Sequence, residues 1–173
     1  MSWKKALGFA LIGIFLFLVD ASLKAYINHN IPLINASPAA FPFGGIGVLR
    51  NWHGIDFSIV HVLNKGAAWG AFASLQAYLL YVRMAIIGGL LSYLFFVKTS
   101  TYRKFSLMLI TAGAFGNVVD YFVYGHVIDM FYFIFWGYSY PVFNIADSVI
   151  FLGIMLLLCE TLFVKMRRKS ANA

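Results

Sequence analysis

The sequence predicts an all-α membrane protein: four transmembrane helices, with a small extracytoplasmic β-rich unit between the first two. Three observations predict it. Hydrophobic residues make up 62% of the 173-residue chain and charged residues only 11%, too little charge to cover a soluble surface. Four apolar runs approach the ~20 residues a helix needs to cross ~30 Å of hydrocarbon. The cations are also placed to suit. The net charge of +7 alone would allow a nucleic-acid partner, but nine of the 13 Lys and Arg residues fall in three clusters beside apolar runs. Lys4 and Lys5 precede the first run, Lys98, Arg103 and Lys104 lie between the second and third, and Lys165, Arg167, Arg168 and Lys169 follow the fourth. That pattern describes membrane topology, not a stripe for phosphates, so no nucleic-acid partner is expected.

Taken in order, the expected spans are 7–27, 78–97, 105–123 and 142–164, within a single membrane domain over 1–173. The first has the basic start and apolar core of a signal peptide, but it is long and no small-x-small cleavage site follows. Four spans put the three basic clusters on one side, which the positive-inside rule makes cytoplasmic, with both termini. Segments 28–75 and 124–141 are then outside. The long one opens with turn residues, among them Pro32, Pro38, Pro42, Gly44, Gly45 and Gly47. Ile46–Arg50 and Phe57–Leu63 read as strands around an Asn51-Trp52-His53-Gly54 turn. Such a hairpin is marginal alone and should lean on the membrane or the helices. The short segment is aromatic (Phe131, Tyr132, Phe133, Phe135, Trp136, Tyr138, Tyr140) and reads as an interfacial loop.

Carboxylates beside hydrocarbon are costly, which makes the six acidic residues candidate functional groups. By this topology Asp20, Asp120, Asp129 and Asp147 gather at the outer boundary, with Asp147 about 9 Å along a helix counted from Pro141. Asn117-x-x-Asp120 and Asn144-x-x-Asp147 repeat one pattern, and i, i+3 positions share a helix face. That symmetry suggests Asp120 and Asp147 as a pair. Two converging carboxylates in a dry site cannot both ionise, so one residue type supplies both acid and base. Asp20 and Lys24, at i and i+4, fit a structural ion pair. Asp56 reads as a solvated loop acid and Glu160 as an interface charge pair. No zinc or other metal site is expected: there is no HExxH, and His29, His53, His61 and His126 lack ligand spacing. Cys159, being single, excludes an intrachain disulfide or a CxxC site. Serine-nucleophile and P-loop motifs are missing as well. The acids would equally suit a small proton- or ion-coupled transporter, although a transporter spreads them through the membrane depth.

Five blocks, Asp20-Ala-Ser-Leu-Lys24, Asn64-Lys-Gly-Ala-Ala-Trp-Gly70, Ala112-Gly-Ala-Phe-Gly-Asn117-Val-Val-Asp120, Gly125-His-Val-Ile-Asp129 and Phe143-Asn-Ile-Ala-Asp147, stand in this order. Together they resemble the signature blocks of lipoprotein signal peptidase (signal peptidase II), across nearly the whole chain. The resemblance implies an aspartic endopeptidase of the bacterial inner membrane with no cofactor. It would remove signal peptides from diacylglyceryl-modified prolipoproteins by cleaving before the lipidated cysteine. It implies Asp129 and Asp147 as the catalytic pair, in place of the pair the symmetry suggests. Asn64, Gly66, Asn117, Asp120 and Asn144 are implied as supporting residues, and Asp20 and Lys24 as structural or substrate-adjacent ones. Three departures stand out: Tyr121 where the family usually has Arg, Met130 where it more often has Phe, and a longer stretch between Asp20 and Asn64. The lost Arg removes a cation near the dyad. Arg83, in the outer part of the second span, either supplies that charge or snorkels to the headgroups. An inactive, lipoprotein-binding homologue is the other reading that Tyr121 leaves open.

Overall fold

The polarity of the first helix is inverted relative to a soluble helix. In the computed structural model α1 (Trp3–Asn30) buries Gly13, Asp20, Lys24 and Ile27 along one stripe, while Leu7, Leu11, Phe15 and Leu18 are exposed. An apolar outside and a polar inside suit a lipid solvent. The structure describes residues 2–36, 39–66 and 76–171; Pro38 and the 67–70 part of the Asn64–Gly70 block lie outside them. The other long helices are α2 (Gln76–Phe96), α3 (Thr101–Tyr124) and α4 (Ile145–Ala171). All four are long and apolar enough to cross a membrane.

α3 is the central helix, with α1, α2 and α4 packed around it. It has the bundle's largest buried share, including the polar residues Ser106, Thr111, Asn117 and Asp120. Small residues set the α3–α4 distance. A Cβ on Gly113 would fall 2.5 Å from the Ala146 carbonyl oxygen, and one on Gly153 would fall 2.7 Å from that of Ser106. These glycines let the two backbones touch.

The β-rich unit is larger than the sequence suggests. β1 (Ile46–Trp52) and β2 (Ile55–Asn64) form the expected hairpin, and β3 (Val127–Phe135) and β4 (Tyr138–Ser139) extend it into an antiparallel sheet ordered β1-β2-β3-β4. Among the described residues the fold is therefore four long helices plus a four-stranded sheet, not all-α with a β-rich piece in one loop. The aromatic segment expected as an interfacial loop is the strand β3. Its even positions Ile128 and Met130 are fully buried against Ile27 and Ile31 of α1, while Phe131, Phe133 and Phe135 occupy the other face. With both faces apolar, the sequence shows no alternation to read. Met130, one of the departures, thus fills core.

Two local readings also change. Asp56 is a β2 residue whose carboxylate accepts the Asn51 N–H at 2.6 Å across the hairpin turn, where Asn51, His53 and Gly54 all have positive φ. α4 starts at Ile145, not 142, because Phe143 is still extended and exchanges backbone hydrogen bonds with Phe131. Asp147 therefore lies in the first helical turn.

Candidate active site

Asn144 and Asp147 cap α4 reciprocally. Asn144 Oδ1 accepts the Asp147 N–H at 2.8 Å, and Asp147 Oδ2 accepts the Asn144 N–H at 3.3 Å. This is a capping box, so the second Asn-x-x-Asp does a different job from the first. A further first-turn donor, the Ala146 N–H, is taken by Asp20 Oδ1 of α1 at 3.0 Å. With these partners the N–H groups of Asn144, Ala146 and Asp147 at the start of α4 are satisfied by side chains.

Asp129 is positioned by the sheet. The β2–β3 register shifts between Ile59 and Val62, so Val60 and His61 both face Met130, and pairing resumes at Val62 opposite Asp129. A bulge of this kind re-aims neighbouring side chains. Asp129 is 2% exposed; its Oδ2 accepts from Asn64 Nδ2 at 2.8 Å and its Oδ1 from Asn144 Nδ2 at 2.7 Å. Asp147 Oδ1 accepts from Asn117 Nδ2 at 2.8 Å. Asn144 thus touches both carboxylates, and among the described residues each is held by amides, with no cation in direct contact.

The cation lies one layer deeper. Lys24, fully buried, contacts Asp20 Oδ2 at 2.7 Å and Asp120 Oδ2, and donates to Asn117 Oδ1 at 3.1 Å. The last bond fixes which end of the Asn117 amide points at Asp147. Asp120 is therefore Lys24's partner and does not pair with Asp147. Burial, and after it the charge of Asp147, push the Asp129 carboxyl up to about 7, against the opposing hydrogen bonds from Asn64 and Asn144.

A cavity of about 750 Å³ opens beside Asp147 and Asn64. Asn64, Gly66, Arg83, Asp147 and Ser148 line its polar end, and Phe133, Phe135, Tyr140, Phe143 and Phe151 its apolar wall. The wall is ordered by ring contacts, with Phe133 stacked on Phe57 at 4.2 Å and on Phe143 at 6.0 Å. Arg83 reaches inward: its terminal nitrogen donates to the Gly66 carbonyl at 3.1 Å, and the Gly66 N–H donates to Asn64 Oδ1 at 2.9 Å. Tyr121 instead packs with Leu80, Ile87 and Val118 between α2 and α3. The sequence suggested the aromatic segment with Phe133, Phe135 and Tyr140 as a substrate support, but Ser148 and Phe151 were not visible as site residues; only the adjacency of Ser148 to Asp147 pointed there. Among the described residues no group of three or more His, Cys, Asp or Glu is arranged to hold a metal.

Known proteins share this arrangement of sequence and fold. A family model described as Signal peptidase (SPase) II matches residues 12–163. The lipoprotein signal peptidase of Chlamydia pneumoniae is 42% identical over 116 residues, covering 66% of this chain and 69% of the relative. That of Chlamydia felis (strain Fe/C-56) is 37% identical over 152 residues, covering 86% and 88%. A bacterial membrane enzyme solved by the in meso method at 2.3 Å resolution superposes with a TM-score of 0.72 at 25% identity, over 90% of this chain and 87% of the other. A second, at 1.9 Å, gives 0.70 at 26% identity over 90% and 92%. With a family model spanning most of its length and relatives of this similarity, the chain belongs to the signal peptidase II family.

Proposed function

We propose that the chain is an aspartyl endopeptidase of the bacterial inner membrane that removes signal peptides from diacylglyceryl-modified prolipoproteins, cleaving before the lipidated cysteine. One observation carries the reading: two carboxylates are held by amides, Asp129 buried and Asp147 half-buried, and Asp147 lines a cavity that is polar beside it and aromatic beyond. A lipid-modified peptide has the same two-part character. The site lies at the extracytoplasmic face with both termini cytoplasmic, an orientation supported by the three basic clusters.

Asp147 is the ionised base that takes a proton from water as its oxygen attacks the scissile carbonyl carbon. Asp129, protonated, donates a hydrogen bond to the developing oxyanion. When the C–N bond breaks, its proton passes to the leaving amine of the cysteine. Asn117 and Asn144 hold the pair, Lys24 and Asp120 hold Asn117, and Arg83 orients the Gly66–Asn64 turn and supplies positive charge at the cavity. Cleavage of a diacylglyceryl-modified lipobox substrate by the purified protein tests the proposal, and inert intact protein would overturn it.

Three further results are expected. Because Asp129 works as the acid and its carboxyl titrates at about 7, kcat/KM should fall as pH rises through that value. Asn64→Ala removes a donor that favours the charged form, so this limb should move to higher pH in the variant, as a pH–rate profile would reveal. Arg83→Ala should lower kcat/KM roughly tenfold, the worth of one charge-assisted hydrogen bond. A loss no larger than that of Met84→Ala would remove Arg83 from the site.

A further inference from the structure

The opposite end of the bundle holds a second cavity, of about 420 Å³, between the start of α3 and the last third of α4. About 30 Å of helix separates it from Asp120. Its lining is polar or charged at Thr99, Ser100, Arg103, Glu160, Thr161 and Lys165. Glu160 organises it: one oxygen accepts the Ser100 hydroxyl and the other accepts Arg103 Nε at 3.1 Å. Ser100 Oγ in turn accepts the Arg103 N–H at 3.0 Å, and Tyr93 of α2 contacts the same guanidinium.

Each Glu160 oxygen is thus engaged within the cluster, and the Arg103 bond to it runs through Nε, not through the terminal nitrogens of the guanidinium. Lys165 stands exposed on the α4 lip, and Lys98 is exposed beside the α3 start. The helix ends that carry it also bear exposed rings: Phe95, Phe96 and Tyr102 are 81%, 86% and 79% exposed, and Phe163 on α4 is 54% exposed. A cationic pocket on helix ends that carry exposed aromatic rings matches an amphiphile with an anionic head.

We propose that this cavity binds the phosphate group of an anionic lipid, with the acyl chains lying along the exposed rings of α2 and α4. A free phosphate satisfies the cations and hydroxyls but leaves the rings uncovered, so the lipid is the favoured source. Juxtamembrane cations attract anionic headgroups individually, and a guanidinium fork adds geometry to that attraction.

The test uses the full chain purified in detergent. Dioleoylphosphatidylglycerol should raise Tm in a saturable way, and dioleoylphosphatidylcholine at the same concentrations should not. Arg103→Gln risks misfolding through Glu160, so the informative variant is Lys165→Gln. It should weaken the apparent affinity for phosphatidylglycerol roughly fivefold, the worth of one such cation. Lys4→Gln with Lys5→Gln, which removes charge from the same end but away from the cavity, should leave that affinity unchanged. Equal weakening by both variants would overturn the site in favour of general surface attraction. An equal Tm rise with phosphatidylcholine would overturn the anionic requirement. A rise with inorganic phosphate at matching concentration would overturn the lipid assignment.

Discussion

Asp129→Asn and Asp147→Asn should each lower the rate of prolipoprotein cleavage by about 10³-fold or more, since each removes one half of a general acid–base pair. Single-turnover cleavage of a diacylglyceryl-modified substrate measures this. A thermal melt of the same samples separates lost chemistry from lost structure. Asn keeps the size of Asp and much of its hydrogen bonding. Asp129→Asn also deletes a group whose charged form the site disfavours, so its Tm should not fall at alkaline pH. The sign follows from the raised carboxyl: ionising it costs the folded state stability as pH rises toward about 7. Asp147→Asn should cost a little more, because an anion leaves the first turn of α4. Cleavage that survives either change would end the dyad assignment.

The second large effect is expected at Lys24, which touches no part of the cavity. Lys24→Met leaves Asp20 and Asp120 facing each other without their cation, in a place closed to water. Removing one partner of a buried ion pair costs roughly 3–5 kcal/mol. The variant should therefore melt far lower and be recovered in poor yield. Adding Asp120→Asn to Lys24→Met should restore part of the Tm, because it removes one of the stranded charges. Activity should recover less than stability does. The Lys24 bond that aims the Asn117 amide at Asp147 is still missing in the double variant. If the double variant melts no higher than the single one, the charge cluster is not what holds α1 to α3.

Hydropathy and charge clustering made the four helices legible, because length and composition alone decide them. The Asp20–Lys24 pair was legible because it is local. Asp120 as its third member was not, since that contact depends on how α3 packs against α1. The repeated Asn-x-x-Asp pattern misled: one copy lies mid-helix facing Lys24, and the other is a helix cap. The resemblance, not the symmetry, pointed to Asp129. The sheet was half visible. β1 and β2 surround a turn whose residues announce it, but β3 is apolar on both faces and reads as a loop for the interface. Its bulge partner on β2, which aims Asp129, leaves no mark in the sequence.

The i, i+4 spacing of Asp20 and Lys24 also bears on biogenesis. α1 emerges from the ribosome long before α3, so Asp120 and Asn117 do not yet exist when Lys24 must enter the bilayer. A lone ammonium at that depth opposes insertion. Here the helix carries its own counter-ion on the same face, 2.7 Å away in the folded chain, so the pair should enter as a nearly neutral unit. The arrival of α3 then adds a second carboxylate and converts a passenger pair into the anchor of the finished bundle.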